Sequence, residues 1–456
     1  MRCRGLAALC AFVLASRTAY AEERQLTYTP KNHDLDGTHN FSGDDRFLCY
    51  DTRGLDGPGI QNCQSIEKVD VATAKETVLY APAVSVIGEE AAPGMGAPYF
   101  SAAENKVAFI HGPLVADVPA RGYYATNNRN GAEVAADGSG SLTWLDKRDV
   151  ARDRDTTPGA HRGGTHDHEY TLDGSRIGLT YDDALMPEYD RTIGYLEKHP
   201  NAPEGASHYF ALLVRTVPKG TAKPGEIEKA WGDNWIDRHG HMRAFIGQVR
   251  AADGVHCEQS LFVVEIPPDT NITTADSGSA ARFPAPPEGV RVRRLTNSHA
   301  DGIVRCHPET RRIAYYGGPP EGPRQIFIIP ADGAEDHEDP AKRPLQVTDF
   351  EHGVAGGVRW HASGNFVAYV ANNGIAVTCV KAGPDFGKTI FLTPQGDEPA
   401  RTNLVWSHDG RLLAYNKRVP THDSEGNIVK TRDGKDLLQI FLIAFPESAG
   451  LTSGPS

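Results

Sequence analysis

The chain lacks most of the features that mark common enzyme and nucleic-acid-binding classes. It has seven cysteines in 456 residues. Past Cys3 and Cys10 only Cys49, Cys63, Cys257, Cys306 and Cys379 remain, an odd and sparse set that excludes a disulfide framework. There is no Cys-x-x-Cys pair for a structural zinc. Cys49 and Cys63 stand where one hairpin could bridge them in an oxidising compartment, with free thiols as the alternative. No Gly-x-Ser-x-Gly elbow and no Gly-x-x-x-x-Gly-Lys loop occur, which removes the α/β-hydrolase and P-loop classes. No basic run occurs either, and 59 acidic residues outweigh 47 basic ones for a net charge of −12, so nucleic acid is not expected as a partner. Helical periodicity is scarce, and no apolar run reaches the ~20 residues a membrane-spanning helix needs.

What is present begins with a predicted secretory signal over residues 1–21. Arg2 and Arg4 open it, Leu6 to Leu14 form an apolar core, and Ala19-Tyr20-Ala21 is a small-x-small cleavage site. A mature chain starting near Glu22 is expected, periplasmic or secreted. Setting aside three arginines and no acid moves the charge from −12 to −15. The rest divides into one domain, 22–446, and a disordered tail, 447–456.

That domain is repetitive. A short strand, a turn of the Asp-Gly kind and an apolar strand recur six times: at 39–50, 99–110, 168–181, 304–316, 358–370 and 405–415. A diverged copy around Met242 to Val249 and Ser260 to Ile266 makes seven. Third strands follow, such as Gln325 to Ile329 and Gln439 to Ala444. Fourth strands end in Leu-Thr or a close variant, as in Leu295-Thr296, Val347-Thr348 and Leu392-Thr393. Four-stranded units at this period predict an all-β, seven-bladed β-propeller, six blades being the alternative. Arg24 to Thr27 reads as a fourth strand standing before the first unit, whereas the last unit lacks one. The N-terminal strand is therefore expected to close the last blade. The inserts at 114–160 and 217–240 are expected to be surface loops.

The Asp-Gly hairpin resembles the TolB-type propeller repeat. More closely, the chain resembles the bacterial YidR-like family of such propellers, whose members carry no established reaction. The resemblance rests on Asn32-His33, Asp51 and Arg53, Phe109 to Pro113, Arg162-Gly163-Gly164-Thr165-His166-Asp167-His168, Thr180 to Asp183, Ser207-His208, Ala244 to Gly247, Phe262 to Pro267 and Val304-Arg305-Cys306. A weaker similarity joins Thr165-His166-Asp167-His168 to a Thr-His-x-His metal stretch of oligogalacturonate lyases.

His39, His166, His168 and Arg305, at the starts of inner strands, and Asp51, Arg53, His111, Asp182 and Asp183, at the ends of second strands, are expected to ring one mouth of the central channel; His208 and His241 lie in the diverged region and are not assigned to a strand. His166 and His168, two apart, would share one strand face and, with His39, are the candidate ligands of a divalent metal: manganese, zinc or calcium. Asp51, His111, Asp182, Asp183 and His208 are candidate ligand-binding residues. Asp51 with Arg53 can equally be a structural ion pair, and His111 a packing residue. His361 and His408 occupy turns and are expected to face solvent. Two functions follow. One is an exported propeller, expected to be monomeric, that binds an oligosaccharide, another small molecule or a periplasmic protein or peptide at a His-lined funnel. The other is a metal-dependent lyase acting on a uronate-containing oligosaccharide, with Arg305 or Arg53 on the carboxylate and Tyr181 or a histidine such as His241 among the catalytic groups.

Overall fold

The computed structural model describes residues 20–445 except 38, 58, 397 and 398; most of the predicted signal and the tail beyond 445 lie outside the described residues. The chain forms seven blades around a central channel. Blade 1 is Phe47–Asp51, Ile66–Asp70 and Glu76–Tyr80, with an innermost segment reduced to a bridge between Phe41 and Leu48. Blade 2 is Met95–Phe100, Lys106–His111, Asn130–Ala135 and Leu142–Trp144. Blade 3 is Gly163–Tyr170, Arg176–Asp183, Thr192–Lys198 and His208–Leu212. Blade 4 is Ile227–Trp235, Met242–Arg250, Cys257–Glu265 and Arg291–Arg294. Blade 5 is Ala300–His307, Arg312–Gly317, Gln325–Pro330 and Leu345–Gln346. Blade 6 is Ala355–Trp360, Phe366–Ala371, Gly374–Cys379 and Thr389–Phe391. Blade 7 is Arg401–Trp406, Leu412–Val419 and Leu437–Ala444, completed by Glu23–Gln25 from the other end of the described chain.

The closure is both backbone and charge. Glu23 pairs in register with Ile443, and its carboxylate takes Arg401 Nε at 3.0 Å and Nη2 at 3.1 Å. The diverged unit is blade 4, so the count of seven holds. The inserts are not plain loops. Residues 114–160 contain the two outer strands of blade 2, and 217–240 contain the innermost strand of blade 4. The latter hides from a period-two reading because it is bulged twice, between Ile227 and Lys229 and between Trp231 and Asn234.

The core is a ring rather than a centre. Seven apolar clusters each join one blade to the next; blades 6 and 7, for instance, meet through Phe366, Val377, Leu413, Tyr415 and Phe441. A blade strand is therefore covered on both faces, which is why Phe366–Ala371 is buried throughout and reads as a continuous apolar run. The turns are stitched in a circle. His307 Nε2 lies 3.0 Å from the Ala362 carbonyl of blade 6, His361 Nε2 3.0 Å from the Gly410 carbonyl of blade 7, and His408 Nε2 3.4 Å from the Phe41 carbonyl of blade 1. His361 and His408 are thus partly buried inter-blade fasteners, not solvent-facing turn residues.

Candidate functional site

Six of the seven innermost strands share one irregularity. Each is bulged, and at each bulge stands a residue with positive φ: Ala97 at 51°, Asp167 at 60°, Gly232 at 64°, Gly302 at 79°, Gly356 and Gly357 at 75°, and Asn403 at 54°. All but Ala97 line a funnel of about 520 Å³ at one end of the channel. A second funnel of about 400 Å³ opens among the inner-strand turns, lined by His39, Pro308, Trp360 and His408. Asn234, Arg305 and Arg359 line both, so they form the waist between them. A larger cavity than either funnel, about 840 Å³, lies on the outer flank of blades 4 and 5 around Pro319, Pro320 and Phe327, away from the convergent polar groups of the channel.

The bulge decides the fate of the central histidine stretch. His166 pairs with Thr180 and Glu169 with Gly178, so Asp167 and His168 together oppose the single Leu179. The extra residue breaks the period of two, and the two rings leave the strand in different directions. His166 enters the funnel, with Nδ1 2.9 Å from Asp167 Oδ2. Burial pushes its ring below the usual histidine range against the pull of Asp167. Burial works against the Asp167 charge in turn, but His166, Arg191 and Arg129 hold that carboxylate well below its ordinary value. His168 is wholly buried, its Nε2 3.1 Å from Thr165 Oγ1 and 3.8 Å from Asp146 Oδ2. It fits against Gly131, where a Cβ would come within 2.6 Å of the ring. The expected shared face is therefore corrected. His39 lies in the opposite funnel, 3.6 Å from Glu169 and 6.4 Å between ring centroids from His408, because the innermost segment of blade 1 is barely paired. Among the described residues no group of three or more His, Cys, Asp or Glu side chains is placed to hold a metal ion, so the predicted His39, His166 and His168 set does not converge on one.

The other predicted residues divide. Arg305 is at the waist. Asp51 and Arg53 form the ion pair, Nε to Oδ1 at 2.8 Å, and Arg53 Nη1 reaches Asp36 Oδ2 at 2.6 Å while Asp51 accepts from the Ala97 amide at 2.9 Å. This fork fastens blade 1 to blade 2 and to the 34–37 loop. Asp182 sits near the funnel rim with Arg191 at 2.9 Å. Tyr181 and Asp183 are buried: Tyr181 donates to Asp183 at 2.8 Å, and Asp183 holds Arg162 Nε at 2.8 Å. Arg162 in turn donates to the carbonyls of Ser279 and Arg282, tying blade 3 to the long connection inside blade 4. Gly163 and Gly164 let the Asp182 and Thr126 carbonyls approach to 1.9 and 2.1 Å of where a Cβ would stand. His111 packs against Trp144 at 4.9 Å with Nε2 3.1 Å from Tyr80 Oη, and His208 lies in the outermost strand of blade 3 beside Ser207 at 2.7 Å. Burial pushes both to about 4. His241 sits on the blade 4 turn, 5.8 Å between ring centroids from His239, outside both funnels. Tyr181, Asp183, His111, His208 and His241 are thereby removed from the channel, and Asp51 is sealed behind Arg53. Cys49 and Cys63 are buried free thiols, Cys63 donating to the Ser65 carbonyl at 3.3 Å.

Sequence reasoning missed the group that organises the funnel wall. Arg243, fully buried, donates Nε to Asp233 at 2.5 Å and Nη1 to Glu169 at 2.8 Å, and its guanidinium lies 4.6 Å from the Trp235 ring. Asn234 also donates to Glu169, and its Oδ1 accepts from the Cys306 amide at 2.6 Å. Burial opposes the Glu169 charge, but Arg243, His39 and Arg305 hold its pKa down. Asp233 is pushed up by burial despite Arg243. Arg359 had a visible signal: Val358-Arg359 stands where Val304-Arg305 stands in the preceding repeat.

The chain is 31% identical over 426 residues to a protein of Escherichia coli (strain K12) described as uncharacterised protein YidR, covering 86% of this chain and 94% of that one. The chain belongs to the YidR family. A family model described as "Protein of unknown function (DUF3748)" matches residues 95–202, the stretch from blade 2 through the histidine strand of blade 3 in this YidR-family propeller. Among solved structures it is similar to TolB from Agrobacterium tumefaciens, at 14% identity and TM-score 0.39, covering 84% of this chain and 98% of that one. It is similar to an oligogalacturonate lyase in complex with manganese at 12% identity and TM-score 0.39, covering 90% and 76%. Among the described residues no helix is long and apolar enough to cross a membrane.

Proposed function

We propose that this YidR-family propeller is an exported ligand-binding protein whose site is the 520 Å³ funnel that holds His166. The observation that carries this is convergence. Inner strands of blades 3, 4 and 5 send His166, Asp167, Glu169, Asp233 and Arg305 into one concavity, and the second strand of blade 4 adds Arg243. The repeated bulge widens each strand where it meets the funnel. A volume of this size suits a small molecule, the end of an oligosaccharide or a short peptide segment better than a folded surface. The lyase alternative rests on two imidazoles meeting one ion, and His166 and His168 diverge, so it gains no support from the geometry.

The test is a thermal-shift screen of sugar acids, neutral oligosaccharides and short peptides against the parent chain and a His166→Ala/Asp167→Asn variant. A compound that raises the parent's melting temperature and leaves the variant's unchanged places the ligand in this funnel. Compounds that stabilise both equally, or none that stabilises the parent, would remove the proposal.

A further inference from the structure

Five arginines line the main funnel: Arg191, Arg243, Arg305, Arg324 and Arg359. Three have a carboxylate of their own. Arg191 meets Asp182 at 2.9 Å, Arg324 meets Asp301 at 2.5 Å, and Arg243 holds both Asp233 and Glu169. The two at the waist do not. Among the described residues neither Arg305 nor Arg359 forms an ion pair; the hydrogen bonds their side chains make run from Nη1 to the carbonyl of the preceding valine, at 2.8 Å and 3.1 Å. The Nε of each is buried with no partner. Arg305 is 91% buried, being 9% exposed.

Two guanidinium groups close enough to repel, one buried and one half-buried, without a counter-ion are an unstable arrangement on their own. Glu169, an acid that feels the charge of Arg305, is already engaged by Arg243, Asn234 and His39. Burial, and then the charge of Arg305, push the Arg359 guanidinium down to about 9. A planar fork that presents several N–H donors matches an oxyanion better than any neutral group. Backbone freedom assists: Gly356 and Gly357, one turn of chain before Arg359, both adopt φ 75° at the bulge, where an added Cβ on Gly357 would come within 2.9 Å of Arg359 Nη1.

We propose that Arg305 and Arg359 form an oxyanion subsite at the waist of the channel, which clasps a carboxylate or phosphate group of the ligand. This rests on the funnel being the binding site and adds the charge of what enters it. The body of the ligand occupies the 520 Å³ funnel, and its anionic end reaches the constriction.

The experiment is calorimetric titration of the parent chain and of Arg305→Met, Arg359→Met and Arg359→Lys with galacturonate, inorganic phosphate and neutral galactose, in a low-salt buffer free of other oxyanions. At least one oxyanion should bind the parent, more weakly as salt rises, and bind each Met variant at least ~tenfold more weakly, with Lys between. Preference for galacturonate or for phosphate names the source of the group. A second readout needs no ligand. In the oxyanion-free buffer Arg359→Met should melt above the parent, because a like-charge contact has gone, and saturating oxyanion should close that gap by stabilising the parent alone. Equal oxyanion affinity in parent and Met variants, or Arg359→Met melting below the parent in both buffers, overturns the subsite. A neutral ligand that binds, is lost in His166→Ala/Asp167→Asn and is indifferent to Arg359→Met would overturn the subsite while the funnel proposal stands. Oxyanion binding that needs both arginines and ignores the His166 and Asp167 changes would uphold the subsite and move the ligand out of the main funnel.

Discussion

Arg243→Met is the substitution whose cost the structure defines best. The guanidinium is 1% exposed and serves two carboxylates that are themselves 3% and 4% exposed. It also lies over the Gly178 backbone, where a Cβ would come within 2.0 Å of Nη1. Removing one partner of a buried ion pair costs about 3–5 kcal/mol, because the charge left behind has neither water nor a counter-ion. Here two carboxylates lose this cation while Glu169 retains Asn234 and His39, so a loss of about 3–5 kcal/mol at pH 7 is expected. The pH dependence has a definite sign. In the parent, Glu169 is held below its unfolded value, so its contribution is full above the unfolded pKa and is lost as the pH falls through the depressed folded value. In Arg243→Met burial lifts both acids above their unfolded values. Each then takes up a proton on folding, and the penalty shrinks as the solution becomes acidic. Urea unfolding of the parent, of Arg243→Met and of Arg243→Met/Glu169→Gln/Asp233→Asn at pH 7 and pH 5 checks this. The single variant should suffer most at pH 7, and the triple variant should recover much of the loss. A loss below about 1 kcal/mol, or a triple variant no better than the single one, would show that the triad is not the strut described.

Gly178→Ala probes the same strut from the other side: its Cβ would collide with Arg243, and a loss of about 1–3 kcal/mol is expected in urea unfolding. His111 and His208 are held neutral, with pKa about 4, by burial. Unfolded histidines titrate near ~6.5, so the unfolded chain binds more protons between that value and about 4. Stability should therefore fall as the pH drops through this window and level off below it, with a shallower slope in His208→Gln; an unchanged urea midpoint from pH 7 to pH 5 would contradict the burial. Thiol labelling of the native chain should reach exposed Cys257 first and spare Cys49 and Cys63, since burial raises both thiols, Cys63 to about 12. Labelling of Cys49 or Cys63 in the folded chain as fast as Cys257 would refute their placement.

The repeat was legible because turn chemistry is local. Ser407 bonds Asp409 at 2.7 Å and Gly410 takes φ 73°, while Thr171, Asp173 and Gly174 do the same at 2.7 Å and φ 72°. Such turns, between apolar runs covered on both faces, announce a propeller. The closing strand was legible too, since one unit lacked a strand and another strand stood alone ahead of the units. The funnel was less so. Side-chain direction along a strand follows a period of two only between bulges, and every regular inner strand here carries a bulge beside the channel. A pair such as His166 and His168 looks convergent by counting and diverges by geometry. Three of the bulges could be suspected from glycine, at Gly232, Gly302 and Gly356-Gly357, but those at Ala97, Asp167 and Asn403 carry no glycine to mark them.

Comparing repeats with one another is more informative than reading any one of them for ligands. Val304-Arg305 and Val358-Arg359 occupy one position in consecutive blades, whereas blade 7 has Leu404-Val405 there. Val405 is buried in the apolar cluster between blades 7 and 1, whereas Arg305 and Arg359 line both funnels, so the residue at this position follows its surroundings blade by blade. The guanidinium groups at the waist and the paired ones higher in the funnel separate along the same line: those that hold the blades together have a carboxylate within the protein, and those that do not are the ones the proposed subsite assigns to an oxyanion.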